Sequence, residues 1–83
     1  MNKEVKTFEE LTKINNASFK WVIWWGTYSI VEIDKEGNRI YDETEYINVD
    51  NGRIYFSDGT ISERYDSNDT ALIVATALFN TEH

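Results

Sequence analysis

Three glycine turns within about twenty-five residues constrain this chain more than any other feature: Asp34-Lys35-Glu36-Gly37, Asn51-Gly52 and Asp58-Gly59. Each ends in a glycine, which supplies left-handed backbone at no steric cost, and in the last two a short polar residue stands beside it. Asn51-Gly52 is the strongest of them, a type I′ hairpin signal. Turns this close leave room only for short antiparallel strands, so the chain reads as a β-meander. The expected strands are Phe19 to Trp25, Tyr28 to Asp34, Asn38 to Tyr41, Tyr46 to Val49, Arg53 to Phe56 and a polar Thr60 to Tyr65. Between the first two, Gly26-Thr27 is either a type II′ turn or Gly26 is a bulge in one long strand. Alternate turns of a meander share an end of the sheet. The Asp34–Gly37 and Asn51-Gly52 turns are therefore expected together, with Asp58-Gly59 nearer the other end.

A helix brackets the meander on each side. Thr7-Phe8-Glu9-Glu10 fits a capping box, with Phe8, Leu11 and Ile14 as an apolar stripe. At the other end Ser67 or Asp66 caps a second helix, and Asp69 sits where the helix dipole favours a carboxylate. Ala71, Leu72, Val74, Ala75, Leu78 and Phe79 give it a wide apolar face. The fold class is α+β: N-terminal helix, antiparallel meander of five or six short strands, C-terminal helix packed on one sheet face. Residues 1–83 form a single domain, as expected of so short a chain.

There is no cysteine to staple that domain, so aromatic residues, 14% of the chain, must supply core area. Missing cysteine fits a reducing cytoplasm. The N-terminus has no apolar stretch of signal-peptide type, and no apolar run is long enough to span a bilayer. The expected location is cytoplasmic, with no membrane contact.

Catalytic chemistry finds no matched groups. The one histidine, His83, is the last residue, and none of the serines has a histidine to activate it. Fifteen acids always offer some carboxylate pair, so no pair is singled out. Asp34–Asn38 and Asp66–Asp69 resemble calcium loops only superficially: the first lacks the closing glutamate, and the second runs into a helix that Asp66 and Asp69 serve as caps. No enzyme activity, metal or cofactor is expected.

Charge is more informative. Residues 1–40 carry six bases and six acids, whereas residues 41–83 carry nine acids and two bases. The net charge of −7 thus lies wholly in the second half. A field of that sign repels nucleic acid and anionic membrane and attracts basic protein surfaces. Asp42, Glu43, Glu45, Asp50, Asp58, Glu63, Asp66 and Asp69 make up a candidate acidic, partner-binding face; turn aspartates also serve the turns themselves. Trp24, Trp25 and Tyr28 are the aromatic alternative. Trp24 and Trp25 are adjacent on a strand and point to opposite faces, so if one enters the core the other stays outside it. Tryptophan and tyrosine are enriched at binding hot spots.

In length, absence of Cys and Pro, the acid-rich Asp42–Asp69 stretch and aromatic density, the whole chain resembles the small acidic inhibitors of phages and mobile elements, among them anti-CRISPR proteins and DNA mimics. No motif accompanies the resemblance. It implies a non-enzymatic inhibitor that binds a host nucleic-acid-binding enzyme, such as a CRISPR nuclease, through an acidic, DNA-mimicking surface. The alternative expectation is a protein-interaction or oligomerising module of a phage or bacterial assembly that uses the Trp-rich strand.

Overall fold

The computed structural model describes residues 6–40 and 46–82. The order is α1 (Phe8–Leu11), β1 (Phe19–Trp24), β2 (Thr27–Glu32), β3 (Ile47–Asp50), β4 (Arg53–Phe56) and α2 (Asn68–Glu82). The strands form one antiparallel sheet in chain order, β1-β2-β3-β4.

Alternation along the strands builds the core. The register aligns Trp21 with Ile30, Ile30 with Ile47, and Ile47 with Phe56; one step along, Ile23, Tyr28, Val49 and Ile54 align. These residues share a face because side chains two apart point the same way. Helix α2 lies on that face. Its buried side chains Ala71, Leu72, Ala75, Thr76 and Phe79 recur at helical spacing and close over Ile30, Ile47, Val49 and Ile54. Phe19, Tyr46 and Phe79 meet edge to face, with centroid separations of 5.0, 5.1 and 6.2 Å. Trp21 Nε1–H donates to Thr76 Oγ1 at 3.0 Å, and that hydroxyl donates to Leu72 O at 2.7 Å, tying β1 to the middle of α2.

The opposite face is also partly covered, since Ser29 and Val31 point away from α2 and are buried. Lys20 Nζ donates to Gly37 O at 2.9 Å and holds the Asp34–Gly37 turn against β1.

Four strands appear among the described residues, against the five or six expected. The Asn38–Tyr41 strand reduces to one bridge, Ile33 to Arg39, with Tyr41 outside the described residues. The Thr60–Tyr65 strand reduces to one bridge, Tyr55 to Ile61. A side chain replaces the rest of that ladder: Ile54 N donates to Ser62 Oγ at 2.8 Å. Losing the Asn38–Tyr41 strand also shifts the parity of the turns. The Asp34–Gly37 turn leaves the sheet at the end opposite Asn51-Gly52, and the β1–β2 turn takes its expected place.

At the N-terminus the helical segment is a single turn. Glu10 N–H donates to Thr7 Oγ1 at 3.2 Å, and Thr7 N–H donates back to Glu10 Oε1 at 3.2 Å. Phe8 and Leu11 stay exposed, and only Ile14 of the expected stripe packs on the core. Asn80 fixes the following segment, accepting from Asn15 N and donating to Lys13 O, both at 2.9 Å.

Candidate functional site: the β1–β2 hairpin tip and its acidic neighbours

The β1–β2 connection is a two-residue loop, Trp25-Gly26, closed by the Trp24–Thr27 pair. Both loop residues have positive φ, 51° and 79°, the signature of a type I′ turn. The turn therefore lies one residue earlier than Gly26-Thr27, and Gly26 is no bulge. Asn51-Gly52 makes the same turn with φ of 50° and 74°. Asn-Gly is the preferred pair for this geometry, whereas a bulky aromatic in left-handed backbone is an outlier.

Neither adjacent tryptophan enters the core. Trp24 is 73% exposed and Trp25 89%. Their rings meet edge to face at 6.3 Å, and Ile23, 59% exposed, extends the apolar surface on the helix side. The tryptophan that packs is Trp21. Tyr28 is half-buried and packs against the core cluster.

The acidic candidates divide by position. Tyr28 pairs with Val49, so Thr27 lies beside Asp50, and Trp24, Thr27, Asp50 and Arg53 run in a row across the end of the sheet. At strand spacing, Trp24 and Asp50 backbones are roughly 10 Å apart. Helix α2 begins at this same end: Gly52 N donates to Asn68 Oδ1 and Tyr65 N to Gly52 O, each at 2.7 Å. That brings Asp66 and Asp69 to it. Asp66 lines a shallow cleft of about 130 Å³ with Asn51, Gly52 and Arg64. Ser67, one of the two expected caps, accepts from Thr70 N at 3.2 Å.

Asp58 lies at the far end of β4. The Thr60 hydroxyl and then its N–H donate to its carboxylate and hold its pKa below the ordinary aspartate value. Glu63 is exposed on the segment leading back to α2. Asp42, Glu43 and Glu45 lie outside the described residues. Among the described candidates, then, Asp50, Asp66 and Asp69 gather at the hairpin-tip end, interleaved with Arg53 and Arg64, and Asp58 stands apart.

Other concavities offer little chemistry. An apolar pocket of about 210 Å³ between β3, β4 and the end of α2 is lined by Tyr46, Ile47, Phe56, Leu78 and Phe79, with Glu82 as its one carboxylate. Among the described residues no cluster of three metal-ligating side chains occurs, and no helix is long and apolar enough to cross a membrane. Comparison with protein-family models, curated proteins and solved structures returned no match.

Sequence reasoning missed Ile23 as part of the exposed tip. The available signal was the likeness of Trp25-Gly26 to Asn51-Gly52: both pairs follow a short β-rich run and end in glycine.

Proposed function

We propose that this chain is a non-enzymatic binding protein of inhibitor type. Its partner is a protein with an apolar pocket rimmed by basic groups, a description that fits a nucleic-acid-handling enzyme such as a CRISPR nuclease. Trp24 and Trp25 are the anchors, and Asp50, Asp66 and Asp69 supply charge from the same end of the sheet. One observation carries the reading: Trp25 occupies a left-handed turn position where folding favours Asn, and is almost wholly exposed there. Burying an indole on a partner recovers what exposure and backbone strain cost. The acidic neighbours steer encounter with a basic surface, which makes binding sensitive to salt.

A second reading, a DNA-mimicking face without an aromatic anchor, draws on the confinement of the −7 charge to residues 41–83. Two variants separate the readings in a pull-down from host lysate at ~50 mM salt, with and without competitor DNA. Trp25→Asn is expected to abolish capture if the tip is the anchor. It is also expected to raise stability by about 0.5–1 kcal/mol, because Asn tolerates the left-handed position. Loss of capture only in a combined Asp50→Lys, Asp66→Lys, Asp69→Lys variant favours the acidic face. Recovery of no basic or nucleic-acid-binding partner from wild-type protein at low salt sinks both.

A further inference from the structure

The outer edge of β1 carries a second interaction surface. β1 is an end strand of the sheet, and it holds the longest apolar strand sequence, Phe19-Lys20-Trp21-Val22-Ile23-Trp24. In a two-residue hairpin the residues flanking the loop exchange both ladder bonds. Trp24, Val22 and Lys20 therefore bond inward to β2, and the N–H and C=O groups of Trp21 and Ile23 point outward. Ser18 keeps the same parity, accepting from Ile33 N at 2.8 Å on the inner side. Among the described residues, no hydrogen bond reaches the outward groups of Trp21 or Ile23. An unpaired edge of this kind is a template for another strand.

We propose that its occupant is a second copy of this chain, paired antiparallel about a two-fold axis at Val22. Three features of the edge fit a second copy. First, the register is self-complementary. Trp21 faces Ile23 of the other copy as a hydrogen-bonded pair, and each copy exchanges the same bonds, four in all. Second, Lys20 faces Trp24 of the other copy on the side away from α2, as a close non-hydrogen-bonded pair suited to a cation–π contact. A depression of about 280 Å³ lies there between Lys20, Val22, the Gly37–Arg39 segment and the copy's own Ile23 and Trp24, and the Trp24 ring of the other copy comes against its Lys20 side. Third, the charge permits approach. Residues 1–40, which include β1 and β2, are neutral, and the acids of the second half lie toward the opposite edge of the sheet. Two chains of charge −7 meet along their least charged side.

The pairing rests on the strand edge and not on the partner-binding reading, but it takes up Trp24, one of that reading's two anchors, so the two compete for this ring, and salt separates them. Screening strengthens contact between two like-charged copies and weakens binding to a basic partner. Sedimentation equilibrium of the wild-type chain over about 5–500 μM is expected to show a monomer–dimer equilibrium, since so small an interface belongs to the weak class. Added salt is expected to shift it toward dimer. In the same samples the amides of Trp21 and Ile23 are expected to exchange about tenfold more slowly at the highest concentration than at the lowest. The chain has no cysteine, so a single Val22→Cys reports the register: it is expected to form a disulfide dimer under mild oxidation, whereas Ser57→Cys and Ile23→Cys do not. A concentration-independent monomer, or unchanged exchange at Trp21 and Ile23, overturns the proposal. Crosslinking through Ile23→Cys in place of Val22→Cys overturns the register at Val22.

Discussion

Gly52 carries a constraint that the chain's other turn glycines lack. All four have positive φ, but only at Gly52 does an added Cβ meet backbone, the Tyr65 carbonyl oxygen at 2.7 Å. That oxygen belongs to the strap that accompanies β4 back to α2, and Gly52 bonds both Tyr65 and Asn68. Gly52→Ala is expected to cost about 2–3 kcal/mol, from left-handed strain plus displacement of the strap. Gly26→Ala, with open space around it, is expected to cost only about 1 kcal/mol. Urea titration of the two variants checks the difference, read as midpoint at unchanged slope. At this scale the sequence was legible where a residue's conformational preference and its structural place agree. Asn51-Gly52 announced its own turn. Trp25-Gly26 did not, because tryptophan is a strand residue by propensity, and nothing local says that its neighbour's glycine has drawn it into the turn.

Among the elements, the C-terminal helix was the most legible, since an apolar face of six residues overrides local ambiguity. The residue that joins it to the sheet was not. Thr76 sits in the middle of that face as a buried hydroxyl, accepting from Trp21 and donating to Leu72. Thr76→Val keeps the shape and removes the acceptor, leaving a half-buried indole N–H unpaired. The expected cost is about 1–3 kcal/mol, the desolvation penalty of an orphaned donor. Thr76→Ser, which keeps the acceptor, is expected to cost less, and thermal melts of both variants followed by tryptophan fluorescence test the order. The missing Thr60–Tyr65 strand has the same origin as the hidden role of Thr76. Ser62 hydrogen-bonds the Ile54 amide with its side chain, so the segment hugs β4 without pairing as a strand. Side-chain-to-backbone bonds compete with ladders at Ser, Thr, Asn and Asp, and alternation in the sequence does not reveal which will win.

The whole molecule measures 47 × 30 × 24 Å, with its acids concentrated in the second half of the chain. Charge asymmetry was fully legible from the sequence, but its layout was not. Sequence order says that residues 41–83 are negative; only the strand register separates Asp58 from Asp50 and brings Asp50 beside the tryptophan tip. A net charge of −7 on 83 residues repels itself in the compact state more than in the expanded chain. Arg53 and Arg64 are the two bases among the nine acids of residues 41–83, so much of that repulsion is uncompensated. Screening it should therefore stabilise the fold. Raising ionic strength from about 10 to 150 mM shortens the Debye length from about 30 to 8 Å, less than the spacing between the two ends of the sheet. Stability is expected to rise by about 0.5–1 kcal/mol over that range, measured in urea so that the denaturant adds no ions. Replacing Asp66 and Asp69 together by Asn is expected to flatten the salt dependence, while Asp58→Asn, on the remote side of β4, changes it less. A stability that falls with salt would mean that attraction between neighbouring opposite charges, such as the cross-strand neighbours Asp50 and Arg53, outweighs the repulsion among the acids.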